Sequence, residues 1–548
     1  MGQEVQEVTG WPKLLGRHWE YWVLGFVLAL GVGLRLHLLD VSLERDEGEY
    51  AYAGQLLLQG VPPYELAHNM KLPGIYMVYA IVMAVFGETA RGIHLGLLVA
   101  NACTTGFIFL VGRRLSGPVA GLVAAGCFSV LSSTYAVQGV FANAEHFVIL
   151  PALAGVWLLL LARSSGRSLQ FFWSGLLLGT GFVIKQHGIA FVAFAAVVLA
   201  LDAARMGGAW NRSWSRRFAL LALGACLPYA AIVLALYLAG TLENFWFWTV
   251  HYAMEYGGLT SIETGWRLFR LRSGNIYEAT PMLWWLSALG LVLLPWNRGA
   301  ASHRLTLLLF CIFSVMSICP GLYFRPHYFV LLLPAASLLA GSAIETLAGL
   351  LSAERVRTVR YVIPVVIALL FIGGSAWEQR EFNLKASPFL ASRVAFDLNP
   401  FPEAEKVGEY LRRHSEKGDR IAVVGSEPEI YFYARQRSAT RYLYTYPLME
   451  TQVYAGKMQR EMIQEIEAAA PAFLVFVNMR SSWLLNERSD LSIMEWFHTY
   501  QESSYDQVGL VEIELLHSAF HWAPAELPSP PRTLNWISIF KRRAPAAE

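Results

Sequence analysis

The sequence predicts a polytopic α-helical membrane protein that ends in a smaller soluble α/β domain. The chain has 548 residues, of which 55% are hydrophobic and 15% are charged, and its mean hydropathy is +0.40. Soluble globular proteins are less apolar and more highly charged than this. Apolar runs long enough to cross a bilayer recur as far as about residue 377, and the composition is mixed and charged after that point. We therefore expect a membrane domain over residues 1–377 and a soluble domain over residues 378–548.

About eleven apolar runs are long enough to be transmembrane helices. They are predicted at residues 22–39, 92–112, 116–133, 145–162, 170–184, 187–204, 218–240, 279–296, 304–320, 327–348 and 361–377. A further run, residues 73–86, is apolar but short, and it opens with Pro73-Gly74. We expect it to be a juxtamembrane or re-entrant helix on the outer face, because a crossing there would put the arginine-rich loops on the wrong side of the membrane.

Positive charges next to the apolar runs predict the orientation of the chain. Lys13 and Arg17 precede the first run, so the positive-inside rule places the N-terminus in the cytoplasm. The same rule places the loop that contains Asp46, and the C-terminal domain, on the opposite side. We therefore expect a multi-pass protein of the inner (cytoplasmic) cell membrane whose C-terminal domain is extracytoplasmic.

Ionisable residues gather on this predicted outer face, where the rule disfavours cations. The acids are Asp46, Glu47 and Glu145, the cations include Lys71, Lys185 and Arg325, and the histidines include His146, His251 and His327. Charged groups at membrane segments are costly and often functional. The pattern indicates an anionic ligand and acid–base chemistry.

Each candidate residue has both a chemical and a structural explanation. Asp46 is a candidate general base, because a carboxylate at the mouth of a cavity accepts a proton when its pKa is brought near the working pH. Glu47 and Glu145 are either further catalytic acids or acids that stabilise a helix N-terminus. Lys71 is either a phosphate ligand or a cation that reaches towards lipid headgroups. Arg325 either binds a phosphate or anchors the chain at the interface.

Several other functions are disfavoured by composition and spacing. The formal net charge is only +2, which gives no reason to expect nucleic-acid binding. The five cysteines lack CxxC spacing, so neither a zinc knuckle nor a disulfide framework is indicated. Aspartate, glutamate and histidine together raise the hypothesis of a divalent metal ion, but no HExxH-type motif supports it. We therefore favour chemistry without a metal.

The C-terminal region alternates predicted helices and strands, which is typical of an α/β domain with a partly parallel sheet. Helices are predicted over residues 402–415 and 452–470, and strands over residues 420–425, 472–477, 507–516 and 533–540.

The ordered set of polar motifs resembles that of GT-C fold glycosyltransferases that use polyprenyl-phosphate sugars. The similarity is to the protein O-mannosyltransferase-like and aminoarabinose-transferase-like branch, glycosyltransferase families 39 and 83. The matching motifs extend over roughly residues 20–350. They are Asp46-Glu47 with Tyr50, Lys71-x-Pro73-Gly74-x-Tyr76, Glu145, Lys185, Asn244-Phe245-Trp246 and Arg325-Pro326-His327-Tyr328. Many relatives have aspartate at the position of Glu145.

The resemblance implies a role for each of these residues. Asp46 would activate the acceptor, with Glu47 and Glu145 as further catalytic acids. The donor phosphate would be held by Lys71, Lys185, Arg325 and His327, and the cavity would be lined by Tyr50, Tyr76, His146, His251 and Tyr323. The donor would be a polyprenyl-phosphate-linked sugar in the lipid bilayer. The acceptor would be a hydroxyl or phosphate of a glycolipid, a glycan or a protein, and direct displacement would invert the sugar.

The main competing hypothesis is a transporter or lipid flippase with an outer-face ligand cavity, which also needs charges within a membrane protein. Against it, the charges cluster on one predicted face, and the sequence has no repeated halves. A membrane-anchored sensor is a further alternative, but it would leave these charges without a function.

Overall fold

The computed structural model describes residues 18–205, 212–351, 357–525 and 527–544. Lys13 and Arg17, on which the predicted orientation rests, lie outside the described residues. The protein is an integral membrane protein built mainly of helices, with one small sheet in its C-terminal region.

Each predicted apolar run overlaps a helix of the first 378 residues, and further helices lie between these runs. The helices are α1 (Trp19–Leu36), α2 (Arg45–Leu58), α3 (Gly74–Phe86), α4 (Ala90–Ser116), α5 (Pro118–Leu131), α6 (Ala144–Ser165), α7 (Ser168–Ile184), α8 (Ile189–Arg205), α9 (Arg212–Leu238), α10 (Leu242–Trp246), α11 (Ala253–Gly258), α12 (Ile262–Ala279), α13 (Pro281–Leu293), α14 (Arg304–Ser317), α15 (Leu333–Leu350) and α16 (Arg357–Glu378).

Helix length and composition indicate which elements cross the membrane. Six of the described helices are long and apolar enough to do so, or seven if α12 and α13 form one span bent by 106°. Other apolar helices, including α3 at the predicted juxtamembrane run, have only 10–17 residues. The predicted fold class is confirmed, and the count of about eleven spans stays a prediction.

Small residues allow α7 and α9 to pack closely. Gly175 and Gly179 lie four residues apart on α7, where a Cβ atom would come within 2.1 Å of Leu221 O and 2.2 Å of Ala225 O. On α9, a Cβ atom at Gly224 would come within 2.1 Å of Phe172 O. Glycines at this spacing let two membrane helices approach backbone to backbone, which brings dispersion contacts that larger residues would prevent.

The C-terminal region is built around a six-stranded sheet in the order β2-β1-β3-β6-β4-β5. The strands are β1 (Arg420–Val424), β2 (Arg437–Ser438), β3 (Phe473–Asn478), β4 (Tyr505–Ile513), β5 (Ser518–Trp522) and β6 (Trp536–Arg542). The helices are α17 (Pro388–Phe396), α18 (Phe401–His414), α19 (Glu429–Ala434), α20 (Tyr446–Met449), α21 (Ala455–Ala469), α22 (Arg480–Trp483) and α23 (Ser492–Ser504).

The sheet is partly parallel, as predicted. Strand β1 pairs in parallel with β2 and β3, and the other pairs are antiparallel. The sequence did not reveal β5, because it is an edge strand whose residues are all half-buried and therefore lacks a clear alternation of buried and exposed positions. The domain boundary between residues 377 and 378 stays a prediction.

The sheet region packs directly on α2. A Cβ atom at Gly48 would lie 2.5 Å from Glu429 Cβ and 2.6 Å from Glu429 N, so only glycine permits this approach. Just before α2, the Leu43 N–H donates a hydrogen bond to Tyr433 Oη at 2.9 Å. Helix α2 is thus held between the membrane helices and the C-terminal region.

Substituting Gly48 by alanine tests this close packing. We expect Gly48→Ala to destabilise the protein by about 1–3 kcal/mol, because the methyl group must displace α19. The measurement is thermal unfolding of the protein in detergent. Gly106→Ala is the matched control, since a Cβ atom there meets nothing within 4 Å. Equal unfolding temperatures for the two variants would contradict the packing described.

Candidate active site

Helix α2 carries two carboxylates on the face that meets the loop before α3. Asp46 and Glu49 are three residues apart, so they occupy neighbouring positions on one side of the helix. Lys71 lies between them, with its Nζ 2.7 Å from Asp46 Oδ1 and 2.7 Å from Glu49 Oε2. The structure therefore brings together Asp46 and Lys71, which were predicted to share a site. It adds Glu49, which was not predicted.

The two carboxylates have different surroundings. The Asp46 side chain is 24% exposed, whereas the Glu49 side chain is 1% exposed. Glu49 also accepts hydrogen bonds from Tyr76 Oη at 2.6 Å and from Tyr444 Oη at 2.7 Å. A buried carboxylate with three donors is a fixed counter-charge. Asp46 is the carboxylate of the pair that a ligand can reach.

The charges around Asp46 determine its protonation. Burial alone would raise the pKa of Asp46, but Lys71, His327 and Lys185 outweigh it and hold that pKa well below its usual range. Asp46 is therefore ionised at neutral pH. In this state Asp46 is a weak proton acceptor, because basicity falls with the pKa.

A second ion pair lies at the ends of two membrane helices. Glu145 is the second residue of α6 and is fully buried, and Lys185 directly follows the last residue of α7. Lys185 Nζ is 2.5 Å from Glu145 Oε1 and 4.6 Å from the centre of the Tyr328 ring. The other oxygen of Glu145, Oε2, is buried without a hydrogen-bond partner.

Arg325 and His327 lie in the segment before α15. The run predicted over residues 327–348 starts within a 3-10 helix, Pro326–Leu331. Arg325 is exposed as a residue, and its guanidinium carbon lies 5.7 Å from the centre of the Tyr323 ring. His327 is buried, with Nδ1 3.0 Å from Gln138 Oε1. The charges of Arg325 and His327 interact with that of Asp46, so these groups share one electrostatic environment.

The predicted tyrosines line this region. Lys71 Nζ lies 4.5 Å from the centre of the Tyr50 ring, a distance typical of a cation–π contact. Tyr76 reaches the same cluster through its hydrogen bond to Glu49. Tyr323 stacks on Tyr256, with ring centres 4.7 Å apart, on the Arg325 side of the site.

The structure does not bring Glu47 to Lys71. Its carboxylate is fully buried, accepts hydrogen bonds from the N–H groups of Glu44 (3.0 Å) and Ala142, and lies 3.0 Å from His94 Nε2. With Glu44 it forms a capping box at the start of α2. This arrangement fits the structural explanation of Glu47, because its oxygens are used to hold the helix end and the loop before α6.

Two predicted histidines lie apart from the Asp46–Lys71 pair. His146 is buried, with Nδ1 3.1 Å from Asn101 Oδ1 on α4. His251 is exposed on a π-helical turn, and within the described ranges no hydrogen bond or ion pair joins it to the site. Consecutive positions on a helix point in different directions, so a shared loop or helix end does not guarantee a shared site.

Metal coordination is not evident in the part of the chain that the structure describes. Residues 18–205, 212–351, 357–525 and 527–544 contain no group of three or more His, Cys, Asp or Glu side chains arranged to hold a metal ion. Chemistry without a metal stays a prediction.

Two residues of the site were missed in the sequence. Glu49 had a usable signal, since its spacing of three from Asp46 predicts a shared helix face. Tyr444 had none, because it belongs to the C-terminal region and follows Glu49 by 395 residues.

The chain is similar in sequence to known proteins over part of its length. Residues 70–237 match the family described as dolichyl-phosphate-mannose-protein mannosyltransferase. The matched segment includes Lys71, Glu145 and Lys185. A curated relative, the undecaprenyl phosphate-alpha-4-amino-4-deoxy-L-arabinose arabinosyl transferase of Pseudomonas paraeruginosa, is 27% identical over 295 residues, 51% of this chain and 48% of the relative. The chain thus spans about half the length of the relative that it matches.

Solved structures extend the similarity to nearly the whole chain. ArnT from Cupriavidus metallidurans bound to undecaprenyl phosphate aligns with a TM-score of 0.57 at 14% identity, covering 95% of this chain and 98% of ArnT. The chain has the GT-C fold. The apo oligosaccharyltransferase of Archaeoglobus fulgidus also aligns with a TM-score of 0.57, at 11% identity, covering 95% of this chain and 76% of that one. The predicted GT-C fold is thereby confirmed.

Removing one partner of the second ion pair tests whether it is buried as described. We expect Lys185→Met to lower the free energy of unfolding by about 3 kcal/mol, because it leaves the Glu145 carboxylate buried without a counter-charge. Adding Glu145→Gln should recover most of this loss. The measurement is thermal unfolding in detergent of the wild type, both single variants and the double variant. A double variant less stable than Lys185→Met alone would contradict this account.

Proposed function

We propose that this protein is a glycosyltransferase that moves a sugar from a polyprenyl-phosphate donor to a hydroxyl or phosphate of an acceptor. The observation that carries the proposal is the Asp46–Lys71 pair, a partly exposed carboxylate and ammonium 2.7 Å apart in a GT-C fold. It combines a potential base with a potential phosphate ligand. The names of the matched family and of the curated relatives, all transferases of lipid-phosphate-linked sugars, support this reaction class.

The donor is a sugar on a polyprenyl phosphate whose chain lies in the bilayer. Lys71, Lys185 and Arg325 hold its phosphate, and His327 lines the same region. Fixed cations stabilise the negative charge that grows on the departing phosphate, and this is commonly the largest catalytic contribution of a site. The similar ArnT structure has undecaprenyl phosphate bound, which makes that lipid the first donor carrier to test.

Asp46 activates the acceptor. As the donor phosphate engages Lys71, its negative charge opposes the cation, and the pKa of Asp46 rises from its depressed value. Asp46 then takes the proton of the acceptor hydroxyl, and the oxygen attacks the anomeric carbon. The bond between that carbon and the phosphate oxygen breaks, and polyprenyl phosphate leaves with the electron pair. Attack from the face opposite the phosphate inverts the sugar configuration.

Glu145 and Glu47 support this reaction without touching substrate. Glu145 pairs with Lys185 and so fixes the position of a phosphate ligand. Glu47 caps the helix that presents Asp46. Each of these two carboxylates therefore acts through a neighbouring group and does not contact the reacting atoms.

The site belongs to the outer face of the cytoplasmic membrane, with the N-terminus in the cytoplasm and the C-terminal domain outside. The positive charges of the predicted loops support this orientation. The acceptor is then a glycolipid, a cell-envelope glycan or a protein. Asp46, Glu145 and Lys185 all lie at helix ends, which argues against a transporter, whose ligand site is typically near the middle of the membrane.

Turnover of a lipid-linked sugar tests the proposal. We expect Asp46→Asn to slow release of polyprenyl phosphate by about 10²–10⁴-fold, because the general base is lost. Lys71→Ala should slow it by about 10²–10³-fold through loss of phosphate stabilisation. The assay uses purified protein with a panel of undecaprenyl-phosphate sugars, including 4-amino-4-deoxy-L-arabinose and mannose, with and without EDTA.

The matched controls are Asp40→Asn and Lys385→Ala, which each remove one partner of an exposed ion pair, with Arg91 and Glu381 respectively. Both should retain wild-type turnover. Activity of Asp46→Asn equal to that of Asp40→Asn would disprove the assignment of the base. A wild type that consumes none of the donors in the presence of an acceptor extract would count against the proposed function.

A further inference from the structure

We propose that Glu49 and Tyr444 are positioning residues that fix the Lys71 ammonium, so that the C-terminal domain forms part of the active site. This inference rests on the proposed function. It concerns two residues that none of the matched motifs contains.

Glu49 is held more firmly than any ligand-facing group of the cluster. It accepts hydrogen bonds from Lys71 (2.7 Å), Tyr76 (2.6 Å) and Tyr444 (2.7 Å), and its side chain is 1% exposed. Asp46 shares the same ammonium but is 24% exposed. An ammonium has three N–H donors, and two are used by the carboxylates. Lys71 is therefore oriented by Glu49, with one donor left for an anionic ligand.

Tyr444 reaches the cluster from the C-terminal domain. It lies between β2 and α20 and is buried. Its hydroxyl contacts both Glu49 Oε2 (2.7 Å) and Arg45 O (3.2 Å), and the centre of its ring is 5.7 Å from Lys71 Nζ. Tyr444 thus contacts the backbone of α2, the Glu49 carboxylate and the Lys71 ammonium.

The docking of the domain explains why Tyr444 is held in place. The Arg45 guanidinium donates to Ser426 O (2.5 Å) and to Glu427 Oε1 (2.9 Å), and the side chain of Glu427 is fully buried. Arg45 opens the same helical turn that carries Asp46 and Glu49. The domain is therefore attached to the first turn of α2, where a small shift would move the reacting groups.

The charge of Glu49 predicts an unusual kinetic signature. A negative group beside a phosphate site weakens binding of the phosphate, but it also holds the ammonium in the position needed when the phosphate departs. Removing the charge should therefore lower kcat without raising KM for the donor. A merely structural residue would lower the yield of folded protein, or change both constants.

The experiment compares Glu49→Gln, Tyr444→Phe and the double variant in the turnover assay with the donor that the wild type consumes. We expect kcat to fall at least tenfold in Glu49→Gln and about three- to tenfold in Tyr444→Phe, with KM for the donor unchanged or lower. In the Glu49→Gln background, Tyr444→Phe should have little further effect, because both act through the same ammonium. Binding of undecaprenyl phosphate alone, followed by thermal shift, should be retained in all three variants.

Tyr433→Phe is the matched control. It removes one hydrogen bond of the same interface, to the Leu43 N–H at 2.9 Å, but does not touch Lys71 or Glu49. Equal kcat values for Tyr433→Phe and Tyr444→Phe, or full additivity in the double variant, would overturn the inference while the wild type remains an active transferase. Absence of turnover in the wild type would instead count against the proposed function.

Discussion

The arrangement of the site depends on one partly buried charge interaction, the Lys71 ammonium shared by Asp46 and Glu49. One ammonium cannot neutralise two carboxylates, so the cluster carries an excess negative charge that nearby cations oppose. Lys185 and His327 act on Asp46 from other segments, and their charges help to keep its pKa low. The loop before α3, the ends of α6 and α7, and the segment before α15 must therefore meet at one place.

The need to hold these charges explains several packing features that are otherwise unrelated. Gly48 lets Glu429 of the C-terminal region approach α2 at backbone distance. The capping box of Glu44 and Glu47 fixes the residue at which α2 begins. Arg45 joins that first turn to Glu427. Each feature restrains the position of the same helical turn. Such rigidity favours catalysis, because catalytic groups act only within narrow limits of distance and angle.

Similarity to solved structures bears on the fold of the chain, whereas the chemistry of the site bears on its function. At 11–14% identity, the solved structures establish the GT-C fold. Function depends on the site itself, because one fold hosts many reactions. In this site a carboxylate remains ionised, a cation beside it has a donor to spare, and further cations share the same electrostatic environment. The proposed transfer from a phosphate leaving group would use these groups.

The sequence by itself determined the apolar helices, the partly parallel sheet and the choice of Asp46 and Lys71 as candidates for one site. Hydrophobic length and strand or helix periodicity are local properties, and the motif resemblance supplied the candidate residues. The spacing of three puts Glu49 on the helix face of Asp46, but only the tertiary structure decided that Lys71 lies between these two carboxylates and that His251 is exposed. The direction of a helical side chain depends on where the helix begins and what packs against it. The contact of Tyr444 with Glu49 joins residues 395 positions apart, and no local pattern encodes such a contact.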